Sequence, residues 1–290
     1  MTRTVLITGA TGTVSTALMG HLKGAGVRMR ALVRDPAAAA AARAAGAEVV
    51  AGDLGRPATL GPAFAGVQDV WLLVPNGPRA PEHSMNALWA ARGAGAERVV
   101  RLSAVGAAHD APTRSGRLHA LSDAETQASG LEWTLLRPMW FMDNLLNEAA
   151  EVREKGTLRL DMGQGRLGMV AADDVAACAA AVLAEAPGAH AGRTYTLTGP
   201  ESLGLDQAAA RMGAALGREV AYRPVSGEDK RAAMLAAGAD EWTAEMVGEY
   251  SAAFAQGWGD FTTPDAEHLL GRAPQTVADF ARAHARAFTG

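Results

Sequence analysis

Hydrophobic positions in the first half of the chain fall into short apolar runs separated by segments with helical spacing. Six of these runs are predicted to be buried parallel strands: "TVLITGA", "VRMRALVR", "AEVVAGDL", "DVWLLVP", "AERVVRLSAVG" and "LEWTLLRP". Helical spacing occurs between most of them, notably at 13–24, 82–93 and 118–129. Strands that alternate with helices in this way predict an α/β fold with a doubly wound parallel sheet of the Rossmann type and right-handed crossovers.

The pattern changes after Pro138. "FMDNLLNEAAEVREKG" is predicted to be a helix, and the strand-like pieces "GTLRLDM" and "RTYTLTG" lie on either side of the helical "AADDVAACAAAVLAEA". The remaining tail is mostly helical in pattern, with a short strand at "REVAYRPV". We therefore expect a dinucleotide-binding domain over 1–140, to which parts of 165–200 return, and a smaller, mostly helical substrate-binding lobe over 141–290.

The first predicted strand ends in a glycine-rich turn, "GATGTVS". Gly9 permits a tight turn, Gly12 lets the backbone approach a pyrophosphate, and the helix that begins near Thr13 offers unpaired N–H groups to the phosphates. Ser15 stands where a third glycine is usual. It is small enough to pack, and its hydroxyl could bind a phosphate oxygen or cap the first helical turn. The pattern predicts a dinucleotide site; the alternative is a turn that has lost its ligand.

The end of the second strand indicates which dinucleotide binds. An NAD site has an acidic residue there, whereas this chain has Val33 followed by Arg34. A guanidinium suits a 2′-phosphate, so NADPH is the predicted cofactor and NADH remains possible. The alternative for Arg34 is a solvated surface charge, with Asp35 either pairing with it or capping the next helix.

Composition excludes several classes of partner. The chain has 290 residues and a net charge of −4 with scattered basic residues, which predicts no nucleic-acid partner. The apolar stretches are too short to span a bilayer and no basic leader precedes the first strand, so a soluble, cytoplasmic protein without a membrane partner is expected, either a monomer or a homodimer. The single cysteine, Cys178, predicts no metal site and is interpreted as a small buried helix residue.

Several motifs together resemble one family. "VLITGATGTVS", "RALVRDP", "VVAGDLGRP", "SGLEWTLLRPMWFMDNLL" and "YTLTGPESLGLDQAAA" occur in the order and spacing of the NmrA-like group of atypical short-chain dehydrogenases/reductases. This resemblance implies a Rossmann domain with a small C-terminal substrate lobe. It also implies the residues that line the cofactor: Gly9, Thr11, Gly12, Thr13, Val14, Arg34, Asp53, Leu54, Val74, Pro75 and Pro138. Residues 138–141 usually lie beside the nicotinamide in that family.

The proton relay of ordinary short-chain reductases is missing. None of the three tyrosines, Tyr195, Tyr222 and Tyr250, is followed four residues later by a lysine, and the segment 118–129 contains no lysine. Ser103 and His119 are the catalytic candidates, because a strand-end serine can bind substrate and a histidine titrates in the useful range. The alternatives are a loop-capping serine, a surface or capping histidine, and a proton supplied by water or by the substrate.

Aromatic and amide side chains suggest where a substrate binds. Trp140 and Phe141 follow the sixth strand, and "WTAEMVGEYSAAFAQGW" spaces large residues by four along one side of a helix. An apolar, aromatic pocket suits a flat polycyclic ketone or quinone, although helical spacing also fits the core of the lobe. The predicted substrate-binding residues are Asn76, Trp140, Phe141, Asn144, Trp242 and Met246.

These observations predict an NADPH-dependent oxidoreductase that acts on a small aromatic molecule. The favoured activity is reduction of a ketone on a bulky aromatic secondary metabolite, that is, a ketoreductase that lacks the tyrosine–lysine relay. The alternative within the same class is an NAD(P)H quinone reductase. The alternative from another class is a catalytically silent NADP(H) sensor, which the family also contains.

Overall fold

The computed structural model describes residues 2–290, and its secondary structure follows the predicted alternation. The strands are β1 (Thr4–Ile7), β2 (Arg28–Val33), β3 (Glu48–Ala51), β4 (Asp69–Leu72), β5 (Arg98–Leu102), β6 (Glu132–Pro138), β7 (Thr157–Leu158), β8 (Arg166–Leu167), β9 (Arg193–Leu197), β10 (Leu203–Gly204) and β11 (Ala221–Tyr222). The helices are α1 (Thr13–Leu22), α2 (Ala40–Ala44), α3 (Gly61–Phe64), α4 (Ala80–Gly93), α5 (Arg114–Ala128), α6 (Ala149–Lys155), α7 (Ala172–Ala184), α8 (Leu205–Leu216), α9 (Gly227–Ala236), α10 (Glu241–Ala255), α11 (Asp265–Leu270), α12 (Val277–Ala283) and α13 (Ala285–Thr289).

Two compact units divide the chain. The first runs to Ala111 and adds Ser115–Arg137 and Val175–Thr196; the second comprises Pro112–Arg114, Pro138–Asp174 and Leu197–Gly290. The chain thus changes unit after Arg137. The segment Val175–Thr196 contributes most of α7 and most of β9 to the first unit.

A seven-stranded sheet with the order β3-β2-β1-β4-β5-β6-β9 forms the centre of the first unit. β1 pairs in parallel with both β2 and β4, so the strand order reverses beside β1. Every residue of β1 and β4 is buried, as expected for strands covered by helices on both faces. The doubly wound Rossmann fold is therefore confirmed, and ligands of such folds bind at the carboxyl edge where the order reverses.

The second unit contains two short sheets and a set of packed helices. β8 pairs with β10 antiparallel, and β7 pairs with β11 in parallel. α8 packs against α12 and α13, and α9 packs against α10. The mostly helical character of this part of the chain agrees with the sequence pattern.

Three helix boundaries differ from the predicted ones. α5 begins at Arg114 rather than at 118, which places His119 in its second turn and removes the interpretation of this residue as a helix cap. The helix predicted after β6 begins as a 3₁₀ segment, Met142–Glu148, a tighter geometry that is common at helix ends. α10 ends at Ala255, because Gly257 takes a left-handed φ of +87°, so Trp258 lies beyond the helix.

Candidate active site at the carboxyl edge of the sheet

The turn after β1 has the geometry of a dinucleotide loop. Gly9 has a φ of +59°, and a Cβ there would lie 2.7 Å from Cδ2 of Leu73, so the fold itself requires glycine. The Gly12 N–H donates to the Gly9 carbonyl at 2.9 Å and closes the turn.

The second glycine of the turn is not explained by packing within the chain. Gly12 has an ordinary φ of −83°, and a Cβ added to it would meet only the Gly9 carbonyl oxygen, at 3.3 Å. The same residue is the N-cap of α1, which has no side-chain cap and no acidic residue in its first turn. The space next to the Gly12 backbone is open, and the first N–H groups of α1 adjoin it without partners. Such a place is suited to bind a pyrophosphate.

Ser15 does neither of the two things expected of it from the sequence. Its side chain is fully buried: the hydroxyl donates to the Thr8 carbonyl at 3.0 Å and accepts the indole N–H of Trp71 at 2.9 Å. Both expectations, a phosphate contact and a helix cap, are therefore wrong. The hydroxyl is directed inward because it is the hydrogen-bond partner that the buried Trp71 requires.

Most of the remaining predicted cofactor residues follow the neighbouring strands of the first unit, whereas Pro138, the last residue of β6, belongs to the second unit. Arg34 is exposed directly after β2, whereas the Asp35 carboxylate caps a 3₁₀ turn by accepting the Ala37 N–H at 2.9 Å. Asp53 and Leu54 follow β3, and the Asp53 carboxylate accepts the Gly55 N–H at 2.9 Å. The other members of the set, Val74 and Pro75, follow β4. Residues from four adjacent strand ends thus meet at one edge of the sheet.

Ser103 belongs to a buried ionic network beside this edge. Its hydroxyl donates to Oδ2 of Asp123 at 2.8 Å, and the same carboxylate accepts from Arg101 through Oδ1 and from Arg137 at 2.9 Å. Ser103, Asp123 and Arg101 are each less than 5% exposed. Two guanidinium groups share one carboxylate, so the network carries one positive charge in excess.

His119 connects this network to the end of β4. Its Nδ1 lies 3.4 Å from Nη2 of Arg101, and its Nε2 lies 3.0 Å from Oδ1 of Asn76. Burial, together with the nearby charges of Arg101 and Arg137, lowers the pKa of His119 to about 3. The imidazole is therefore neutral at physiological pH, and it can orient a partner but is not a ready source of protons.

The predicted substrate residues of the second unit lie on two elements. Trp140 and Phe141 follow β6, where the Trp140 carbonyl accepts the Val170 N–H at 3.1 Å. Trp140, Phe141 and Asn144 are partly exposed. Trp242 is partly exposed on α10, and Met246 is buried on the same helix.

Two aromatic residues farther along α10 and one just beyond its end form a cluster within the second unit. The rings of Tyr250, Phe254 and Trp258 lie with centroids 5.7 to 6.2 Å apart. Phe254 is 1% exposed, so this member of the series is a core residue of the lobe. Tyr222, on β11, donates its hydroxyl to the Leu160 carbonyl at 3.1 Å, and burial raises its pKa to about 12.

Sequence reasoning missed the charged members of the network, Arg101, Asp123 and Arg137. A signal was present: Arg101 stands inside an apolar strand, and a charge in such a strand needs a buried partner. The four-residue spacing of His119 and Asp123, which places both on one face of a helix, was a second signal. The identity of the partner was not accessible, because it depends on the register of α5 against the sheet.

Among the described residues there is neither a helix suited to cross a membrane nor a cluster of side chains suited to bind a metal ion. No helix among residues 2–290 has the length and apolarity needed to cross a lipid bilayer. Over the same residues, no group of three or more His, Cys, Asp or Glu side chains could hold a metal ion. Cys178 is buried in α7, as predicted.

The doubly wound sheet has a glycine-rich turn at the edge where its strand order reverses. This combination defines a nucleotide-dependent protein of the Rossmann type. The sequence profile of the NAD(P)H-binding family matches residues 9–186. The chain belongs to this family and is an NAD(P)H-dependent oxidoreductase of the atypical short-chain type, as the motifs indicated.

Individual proteins resemble the chain over nearly its full length. The NAD(P)H azoreductase of Xenophilus azovorans is 35% identical over 98% of this chain and 99% of its own. The structure of the NADPH-dependent quinone oxidoreductase of Escherichia coli with NADPH superposes with a TM-score of 0.85 at 27% identity, covering 96% of this chain and 99% of that one. The triphenylmethane reductase of a Citrobacter species, complexed with NADP(H), gives a TM-score of 0.86 at 26% identity, covering 97% and 99% of the two chains.

Proposed function

We propose that the protein is an NADPH-dependent reductase of flat, conjugated aromatic acceptors, for which quinones are the representative class. One observation carries the proposal: His119 is held neutral beside a network with one excess positive charge, in a chain without a tyrosine–lysine pair. Such a site stabilises an anion better than it delivers a proton. The acceptor must therefore be one whose reduced, anionic product can be protonated after the hydride has been transferred.

Quinones meet this requirement and isolated ketones do not. NADPH, when bound, supplies the hydride. A quinone that accepts this hydride, which is equivalent to two electrons and one proton, becomes a hydroquinone monoanion, and the monoanion takes its second proton from water. Its conjugate acid is a phenol, with a pKa of about 10, so the anion is a weak enough base to form without a positioned acid. A ketone would give an alkoxide, a far stronger base, whose formation needs a positioned acid.

The relatives support the same class of acceptor. Their names describe reduction of azo compounds, of quinones and of triphenylmethane dyes, which are all extended conjugated systems. The partly exposed Trp140 and Trp242 of the second unit are side chains suited to contact a flat ring system. The ketoreductase activity favoured from the sequence alone ranks second, because the described residues contain no tyrosine–lysine acid at the strand ends.

NADPH is proposed over NADH because of the end of β2. The exposed Arg34 follows this strand directly, and no carboxylate precedes it to hold a ribose 2′-hydroxyl. The Asp35 carboxylate is engaged in capping the Ala37 N–H and is directed to its own backbone turn.

The experiment compares two acceptors that share a bicyclic ring system. Oxidation of NADPH is followed with a 1,4-naphthoquinone and with an acetylnaphthalene, at matched concentrations. Reduction of the quinone at a rate at least about a hundredfold above that of the ketone supports the proposal, since general acid catalysis is typically worth about 10²–10⁴-fold. Equal rates would favour the ketoreductase. Tight NADPH binding without turnover of either compound would favour the sensor.

A further inference from the structure

The proton positions on His119 follow from its two neighbours. A guanidinium only donates, so the Arg101 contact at 3.4 Å requires Nδ1 to be the acceptor. The hydrogen of the neutral ring is then on Nε2, which faces Asn76 at 3.0 Å. An N–H requires an acceptor there, and the Asn76 side chain accordingly presents its carbonyl oxygen, Oδ1.

This arrangement fixes the orientation of an exposed amide. Asn76 follows β4 at the carboxyl edge of the sheet and is an exposed residue. With Oδ1 bound to His119, the amide nitrogen Nδ2 points away from the ring, and within residues 2–290 its two N–H groups have no hydrogen-bond partner. A rotated amide would place Nδ2 against Nε2–H, donor against donor, so the histidine disfavours the opposite orientation.

We propose that His119 is a positioning residue that holds the Asn76 amide so that its N–H groups donate to the anionic oxygen of the reduced acceptor. The proposal rests on the proposed function, because that function is what makes the bound product an oxyanion. Donors that are oriented before charge develops stabilise an anion without reorganisation. Asn76 is then the group that touches the substrate, and His119 acts through it.

The surrounding charges make the hydrogen bond between His119 and Asn76 insensitive to pH. The charged groups that face His119 are Arg101 and Arg137, both cationic, and the carboxylate of Asp123 is occupied by the same two guanidinium groups. Protonation of the ring would add a third cation and would turn Nδ1 into a donor facing Arg101. The hydrogen bond to Asn76 therefore persists across the working range of pH, unlike a general acid that titrates near neutrality.

The test distinguishes the roles of Nδ1 and Nε2 of His119 by two different substitutions. His119→Asn keeps an acceptor near the position of Nδ1 and removes the donor to Asn76, whereas His119→Gln places an amide N–H near the position of Nε2. The probe is 4-nitrophenolate, titrated by its absorbance in the presence of NADP⁺, the oxidised cofactor, which has no hydride to transfer to it. His109→Asn, a substitution at an exposed loop histidine, is the matched control.

The expected results form a pattern. His119→Asn and Asn76→Ala each weaken phenolate binding about tenfold or more, the double variant is no weaker than Asn76→Ala alone, and His119→Gln recovers most of the loss. For His119→Asn and Asn76→Ala, the dissociation constant of NADPH and the melting temperature stay close to those of the control. ¹⁵N NMR of the imidazole shows the Nε2–H tautomer without titration between pH 5 and pH 8.

Three results would overturn the proposal: no phenolate binding by the unmodified protein, additive losses in the double variant, or a ring that titrates near pH 6.5. A protein that binds phenolate in the expected pattern but reduces no quinone would instead overturn the proposed function and leave the positioning role in place. If the protein reduces quinones but its binding of phenolate is unaffected by His119→Asn, the positioning role would be overturned and the proposed function would stand.

Discussion

The indole N–H of Trp71 donates to the hydroxyl of Ser15 at 2.9 Å, and this bond joins the middle of the sheet to the first helix. The same hydroxyl donates to the Thr8 carbonyl at 3.0 Å, and the Trp71 side chain is fully buried. Ser15 stands where dinucleotide folds usually have a third glycine. Here the small residue does more than permit close packing, because it satisfies a buried donor that glycine would leave unpaired.

Replacing Ser15 by glycine should therefore affect stability and leave the cofactor site intact. We expect Ser15→Gly to lower the free energy of unfolding by about 1–3 kcal/mol, the cost of an unsatisfied buried donor. The NADPH dissociation constant should change less than about threefold, because the hydroxyl faces inward. Urea denaturation and fluorescence titration measure the two quantities. A tenfold loss of affinity at unchanged stability would show that the hydroxyl contacts phosphate after all.

Arg34 should determine the preference for NADPH. We expect Arg34→Ala to weaken NADPH binding by about 1.5–3 kcal/mol and to leave NADH binding unchanged, since only NADPH carries the 2′-phosphate. Arg28→Ala is the matched control, because Arg28 is also an exposed arginine but stands at the opposite end of β2. Calorimetric titration of both cofactors into the three proteins gives the answer. Equal affinities of the unmodified protein for NADPH and NADH would contradict this role.

Local sequence patterns predicted the sheet well and the ionic network poorly. Buried strands such as β1 and β4 are largely apolar, and the turn at Gly9 depends on adjacent residues. Both can therefore be predicted from the local sequence. The contacts of Asp123 join β5, β6 and α5, and they depend on how these elements pack. Ser15 shows the same limit: its partner Trp71 is 56 positions away in sequence.

The network around Asp123 should contribute strongly to the stability of the fold. We expect Asp123→Asn to destabilise the protein by about 3–5 kcal/mol, because two buried or half-buried guanidinium groups lose their shared counter-charge. Asp110→Asn, in an exposed loop, should change the free energy of unfolding by less than about 0.5 kcal/mol. Urea denaturation of both variants at neutral pH tests this. A loss below about 1 kcal/mol for Asp123→Asn would show that the two arginines find other partners.

His119 should make the protein sensitive to acid. Its pKa is about 3 in the folded chain against 6.5 for the free side chain, so below pH 6.5 the unfolded chain binds a proton that the folded chain does not. The free energy of unfolding must therefore fall as the pH drops from 6.5 towards 3, with no contribution from this group above that window. His119→Gln should lose less stability between pH 7 and pH 4.5 than the unmodified protein. The exposed His109→Gln should follow the unmodified protein, and identical losses in all three would contradict the assignment.

The central claim is that hydride reaches the acceptor without a proton being transferred in the same step. The most direct test is the single-turnover rate of NADPH oxidation by a saturating naphthoquinone, measured in H₂O and in D₂O and with NADPH deuterated at the transferred position. We predict a solvent isotope effect of about 1 together with a clear primary isotope effect, because no side chain donates a proton as the hydride moves. A solvent isotope effect of about 2 or more on the same step, abolished by His119→Gln, would show that the histidine is a general acid and would contradict the account.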